Sequence, residues 1–343
     1  MKHNRMKNNS GMILVLALWA MGLLSIFAIY LGVHARQRMI LLSRLETRDN
    51  LHFSARSGIG KAISFVNMKN SNRAAWNSLN FKLNLMNNPE FFSDIDFGNF
   101  KCEVSYDFFD KSFHEIEKRY GMIDEESKIN INIVGKNEIS RLLQAVVGLD
   151  DEAAGDLALS IVDWREEGTS VLEGFFSDNY YNNLKNPYPP KNNDFESIEE
   201  LLFVEGINQD ILDRLRWFVT IYGDGRVNVN TASWHVLVAL GFDPDVADKI
   251  ISIRDGADKR PATGDDYFFY DISDFIGKIE FLESLSEHEI ERARKIVLAN
   301  KVATSGFFYQ IQAIAQKKRS ENKKNIVCVY NSLDRIIEYW NEI

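Results

Sequence analysis

The first 45 positions contain no aspartate or glutamate and hold six bases instead: Lys2, Arg5, Lys7, Arg36, Arg38 and Arg44. The rest of the chain carries 34 bases against 49 acids, a net charge of −15. So acidic a body is a poor partner for nucleic acid, whose phosphates reward Lys and Arg. Cysteine is scarce: Cys102 and Cys328 are the two in the chain. That excludes a disulfide scaffold and a CxxC metal site. Six histidines are scattered without HxxxH or HExxH spacing, and no GxSxG elbow occurs. Asp163 and Glu166 stand close in sequence, but two carboxylates without a pocket do not make a catalytic acid pair. An enzyme is not expected.

What is there begins with an apolar run. Met12 to Val33 is 22 residues without a charge. As a helix it is about 33 Å long, enough to cross a hydrocarbon core of about 30 Å. A secretory h-region is shorter, about 7–15 residues, and ends in small residues before a cleavage site. No A-x-A follows here, so the run reads as a retained anchor. Lys2, Arg5 and Lys7 argue for an inside amino terminus, while Arg36 and Arg38 pull the other way. Beyond the run, Leu41, Leu45, His52, Ala55, Ile59, Ala62 and Val66 recur at helical steps. The pattern predicts one helix from Met12 to about Val66, with a stripe facing a soluble domain. Gly58-Ile59-Gly60-Lys61 has the look of a phosphate loop, but Ala55 stands where the earlier Gly belongs and Ala62 replaces the Ser or Thr. The helix reading is therefore taken.

A long helix, half in a membrane and half under a soluble domain, resembles a type IV pilin. In that class a prepilin peptidase cuts after a Gly preceding the apolar run, and Gly11-Met12 is such a junction. The resemblance implies that residues 1–11 are a leader and that the run is kept. The fifth residue of a mature pilin is usually Glu, whereas Leu16 stands there in this chain. A buried carboxylate without its partner is costly. A subunit at a filament end lacks one neighbour, so the loss of that Glu suits an end position.

The body reads as α+β. "FKCEVSYDFF" (Phe100–Phe109) has strand character, Glu115–Val134 reads as one or two more strands around a turn at Asp124-Glu125-Glu126, and a helical block then runs from Gly135 to about residue 300. Gly306–Arg319, Asn325–Ser332 and Arg335–Trp340 return to strands. The helical block is thus inserted between strands. It repeats a unit of apolar residues, a Gly, an acidic turn and an amphipathic helix, around Gly148, Gly206 and Gly241. Such units are helix-hairpin-helix, or SAM-like. Many bind DNA phosphates through turn amides and nearby bases. These turns carry Asp150-Asp151, Glu205 with Asp210, and Asp243 with Asp245 instead, which would repel phosphate. Trp164, Trp217 and Trp234 fall on apolar helical faces and read as core.

Five phrases stand in order: "GMILVLALWAMGLLS", "YGMIDEESKININ", "SIVDWREEG", "NPYPPKNNDFESIEELLFVEGI" and "GDGRVNVNTASWHVLVAL". Together they resemble general secretion pathway protein K, the large minor pseudopilin of bacterial type II secretion, over roughly Gly11 to Trp340. Leu16 fits this member, which usually lacks the Glu. The resemblance implies a type IV pilin-like fold with a large inserted helical SAM-like domain. Its divisions here are a leader at 1–11, a transmembrane half-helix at 12–33, a periplasmic half-helix at 34–66, pilin core at 67–134 and 301–343, and the insertion at 135–300. It implies a non-enzymatic subunit capping a periplasmic pseudopilus, single-pass in the inner membrane. Implied partners are the I- and J-type minor pseudopilins, other pseudopilins, the inner-membrane secretion platform and the prepilin peptidase. The alternatives are a minor pilin of a type IV pilus and a membrane-anchored helix-hairpin-helix protein that binds DNA.

The resemblance also implies calcium in the helical domain. The candidate loop, 163–192, offers Asp163, Glu166, Glu167, Glu173 and Asp178, with Asn179, Asn182 and Asn183 nearby. Calcium takes six to eight oxygens, which a long irregular loop can supply. The run Glu166-Glu167-Gly168 is poorer in Asp than the family pattern, which leaves the ligands open, a solvated acidic loop being the other reading. Cys102 and Cys328 both fall in predicted strands, and a periplasmic location is oxidising. Either they form a disulfide, which needs Cα atoms within about 7 Å, or they are two buried thiols.

Overall fold

A computed structural model describes residues 10–71, 85–109, 116–166, 177–261, 263–282 and 285–343. One helix, α1 (Ser10–Ser71), runs 62 residues without a proline. Its hydroxyls bond within the helix: Ser25, Ser54 and Ser64 each donate to the carbonyl four residues back. The strands, in chain order, are β1 (Ile95–Phe97), β2 (Phe100–Val104), β3 (Tyr106–Phe109), β4 (Ile116–Arg119), β5 (Ile123–Asp124) and β6 (Ile129–Asn130). They continue with β7 (Val219–Thr220), β8 (Val227–Asn228), β9 (Val302–Ala303), β10 (Phe308–Lys317), β11 (Lys323–Asn331) and β12 (Ile336–Glu342).

The main sheet is antiparallel in the order β1-β2-β10-β11-β12, with β5 also pairing β10. Tyr309, Ile311, Ala313 and Ala315 alternate along β10 and are buried. They form one core with Leu51, Ala55, Ile59, Ala62, Phe65 and Val66 of α1. The buried stripe therefore starts at Leu51. Leu41 and Leu45, expected in it, are exposed, because the sheet does not reach that far along the helix. Strand character from Phe100 to Phe109 also divides: β2 stays in the sheet, while β3 leaves it to pair with β4.

At its closest point α1 has no side chain. A Cβ on Gly58 would sit 2.5 Å from Cys102 Sγ, whereas one on Gly60 would meet nothing within 4 Å. The Gly-Ile-Gly segment is thus a packing device, the first glycine admitting β2 and the second facing away. The cysteines do not bridge. Cys102 pairs with Ala315 and Cys328 with Ile311, on opposite sides of β10. Two strand spacings, about 9.6 Å, exceed the reach of a disulfide. Both are buried free thiols, pushed up to about 12 by desolvation.

The helical layer has its own core. It contains α2 (Lys136–Val147), α3 (Asp151–Arg165), a 3-10 turn at Ile198–Phe203, α4 (Gln209–Leu215), α5 (Trp234–Leu240), α6 (Pro244–Arg254), α7 (Ile272–Leu282) and α8 (Glu287–Leu298). Leu142, Leu143, Ile161, Leu212, Leu237 and Ile250 are among its buried residues. Two short parallel pairs, β6 with β7 and β8 with β9, lie at its base. The repeat seen in the sequence is structural. Gly148, Gly206 and Gly241 all take positive φ, +83°, +84° and +108°, and each is followed by a new helix. An L side chain is strained in that conformation. The middle unit begins with a 3-10 turn rather than an α-helix.

Gly58→Val should lower the melting temperature of the full chain, by overpacking of about 1–3 kcal/mol. Gly60→Ala should raise it slightly, by about 0.5–1 kcal/mol of helix propensity. Equal effects of the two in thermal melts would contradict the close approach at Gly58.

Candidate assembly surface and candidate metal loop

The first half of α1 presents apolar side chains to the surroundings over its whole circumference. From Met12 to Val33 every residue is exposed, and the best 18-residue window has a mean hydropathy of 2.6 with none of it buried. Length and composition suffice to cross a membrane. Gly11 and Met12 lie in the exposed first turns, and Leu16 is exposed one turn further on. No carboxylate at that position asks for a partner's amine.

Apolar surface continues past this span. Met39, Ile40, Leu41, Leu42 and Leu45 are exposed, between the bases Arg36 and Arg38 and the first residue that the sheet covers, Leu51. A second exposed apolar strip lies beside α1 on edge strand β12, whose seven residues are all exposed. Trp340 pairs with Cys328 and Ile337 with Tyr330, so both share the sheet face on which α1 packs. His52 of α1 meets Glu342 Oε1 at 3.1 Å across the end of this strip.

The turns of the helical repeat hold their polar side chains in caps, hydrogen bonds and ion pairs. Asp150 accepts from Ala153 N at 2.9 Å, and Asn208 accepts from Ile211 N at 3.0 Å. Asp151 accepts from Gln144 Nε2 at 3.0 Å, and Asp243 is ion-paired with Arg292. At Asp150 and Asn208 helix N-terminal amides are met by the protein's own oxygens. Of the three tryptophans expected in the core, Trp164 is buried and Trp234 packs against the core, but Trp217 is 37% exposed.

The candidate calcium residues separate on the structure. Asp163, on the last turn of α3, is 3% exposed. Glu166 is ion-paired with Arg165 at 2.9 Å, and Arg165 is itself fixed by the carbonyls of Ile131 and Val134. Asn182 and Asn183 are exposed. Glu167 and Glu173 lie outside the described residues, as do the side chains of Asp178 and Asn179. Among the described residues no three Asp, Glu, His or Cys converge as a metal group.

Glu205, read in the sequence as part of an acidic turn, was not among the candidate calcium residues. Its carboxyl is raised above the usual range by burial and by the charge of Asp163. Its amide donates to Tyr181 Oη at 3.2 Å, which places Asp163, Glu205 and Tyr181 in one neighbourhood. Tyr181, Tyr188 and Phe203 pack around Trp164 with ring centroids 5.6, 6.1 and 6.3 Å away. The phrase "NPYPPKNND" supplies Tyr188 to that cluster, a contact for which no helical or strand period gives a signal.

A family model described as "Type II secretion system (T2SS), protein K" matches residues 127–224. No curated protein matches the chain in sequence. Among solved structures, a chain of the GspK-GspI-GspJ complex from the enterotoxigenic Escherichia coli type 2 secretion system is similar in fold. The TM-score is 0.57 at 15% identity, covering 88% of this chain and 98% of that one. Residues 127–224 are thus similar to the protein K domain of the type II secretion system, and the chain as a whole shares its fold with a chain of that complex.

Proposed function

We propose that this chain is a non-enzymatic minor pseudopilin at the tip of a type II secretion pseudopilus, where it joins I- and J-type minor pseudopilins and starts assembly. The observation that carries the reading, beside the protein K domain, is the apolar overhang of α1. Met12 to Leu45 is 34 residues of largely apolar, exposed helix. That is about 51 Å against a bilayer core of about 30 Å. The excess, Met39 to Leu45, lies in water in the isolated chain and ahead of its own sheet. Helices of like subunits are the natural cover for such a stripe. The similar fold was solved as a complex of three such proteins, which supports I- and J-type partners. In this reading the prepilin peptidase removes residues 1–11, and α1 stays in the inner membrane with the body in the periplasm. Contact with other pseudopilins and the secretion platform follows from the same placement.

Calcium binding at the 163–192 loop belongs to the same proposal. Its support is the buried Asp163 beside Glu205, two like charges whose repulsion a divalent cation relieves. Tyr181 closes one side, and Glu167 and Glu173 are the further ligands in the sequence.

Leu41→Asp with Leu45→Asp should cut co-purification of the I- and J-type subunits at least tenfold, while membrane fractionation and the body's melting temperature stay unchanged. Undiminished capture would contradict the overhang as the contact. Calcium at 100 times its dissociation constant should stabilise chelator-treated chain by about 2.7 kcal/mol and so raise its melting temperature. Asp163→Asn should abolish that rise. A wild-type melt indifferent to calcium would end the metal reading.

A further inference from the structure

The chain passes from the sheet into the helical layer at Asp124–Ser127, after β5, and returns through 304–307 into β10. Three consecutive carboxylates, Asp124, Glu125 and Glu126, are all buried at this crossing. Each holds a different segment. Asp124 accepts from Asn228 Nδ2 at 2.7 Å and Thr231 Oγ1 at 2.9 Å, both at the end of β8. Glu125 accepts from Thr220 Oγ1 of β7 at 2.5 Å and from Lys128 Nζ at 2.7 Å. Glu126 accepts from the backbone N–H groups of Phe307 and Phe308, on the returning chain. Glycines make room for them. A Cβ on Gly223 would sit 2.8 Å from Glu126 Cγ, and one on Gly306 would collide with the Asp124 carboxylate.

We propose that Asp124-Glu125-Glu126 is an acid-tightened clasp that sets how firmly the returning strand, and with it the helical layer, is held to the sheet, with Glu126 as its titrating member. The charges around Glu126 favour a proton. Asp124 and Asp224 face it with the same sign. Arg226 faces it with the opposite sign, but is already bound to Asp224 at 2.6 Å. Glu125 is offset by Lys128. The returning segment brings two neutral amides and the ring of Phe308, which stacks on Tyr222. Burial, the largest cause, and the two aspartates raise the Glu126 carboxyl from 4.5 to about 7, against the lowering effect of the amides.

The sign follows from linkage. A group that binds its proton more tightly when the clasp is closed favours closure below the open-state value. That help is complete below about pH 4.5, falls as pH rises, and is gone above about pH 7. Near neutrality the crossing is therefore at its loosest. The clasp is independent of the calcium and tip readings, since it involves neither the 163–192 loop nor the exposed half of α1.

Hydrogen–deuterium exchange of the full chain in detergent, between pH 5 and 8 and corrected for intrinsic rates, tests it. In peptides containing Phe307 and Phe308, protection should fall by up to tenfold per pH unit as far as about pH 7 and level off above it. Glu126→Gln should make that profile flat. Asp224→Asn, at an exposed position, should move the levelling point to lower pH. Wild-type protection that does not change with pH, or a Glu126→Gln profile that keeps the slope, would overturn the proposal. An equal fall in α2 and α3 peptides would also overturn it, since the opening would then be global. Should Glu126→Gln not fold, an unmoved levelling point in Asp224→Asn decides against the clasp.

Discussion

The seating of α1 on the sheet, through a glycine, is the constraint on which the rest of the molecule depends. Gly58 lets β2 come against the helix backbone at Cys102, and Ala55, Ile59, Ala62 and Phe65 fill the neighbouring space against β10. Small residues at the contact allow close approach, and each buried large one removes apolar area from water, at about 25 cal/mol per Å². Because α1 is one unbroken helix, its exposed half continues from the half that the sheet holds. The proposed membrane placement and partner contact both refer back to that one interface.

Charge and apolar surface are divided along the chain accordingly. The unpaired apolar surface is concentrated on α1 up to Leu45, with a shorter strip on β12. The helical layer keeps its acids for its own turns and crossings: Asp150 caps α3, Glu125 binds Lys128, and Asp243 holds Arg292. Arg165 and Arg254 are buried guanidinium groups spent on backbone carbonyls and adjacent carboxylates. Several of the layer's acids are thus engaged by its own caps and ion pairs.

Much of this was legible in the residues, for identifiable reasons. The long helix, the strand–insertion–strand order and the three glycine turns carry strong local signals: charge-free length, period two, and the residue type that takes positive φ at least cost. What escaped depended on distance in three dimensions. Leu41 and Leu45 continue the helical period, yet the period does not say where the sheet ends. Cys102 and Cys328 both lie in strands, but the interposed β10 comes from residues 308–317 and separates them. Glu205 is 42 positions from Asp163 and has no spacing that would join the two. The DEE run was visible as a turn, while its role as a junction appears only when Phe307 returns beside it.

The central claim is that the apolar half of α1 is kept as an anchor after a short leader is removed. The N-terminal residue of the protein purified from cells, read by mass spectrometry, tests it most directly. The account predicts a chain that begins at Met12, N-methylated as in the pilin class. A chain that begins at Met1, or beyond Val33, would contradict it.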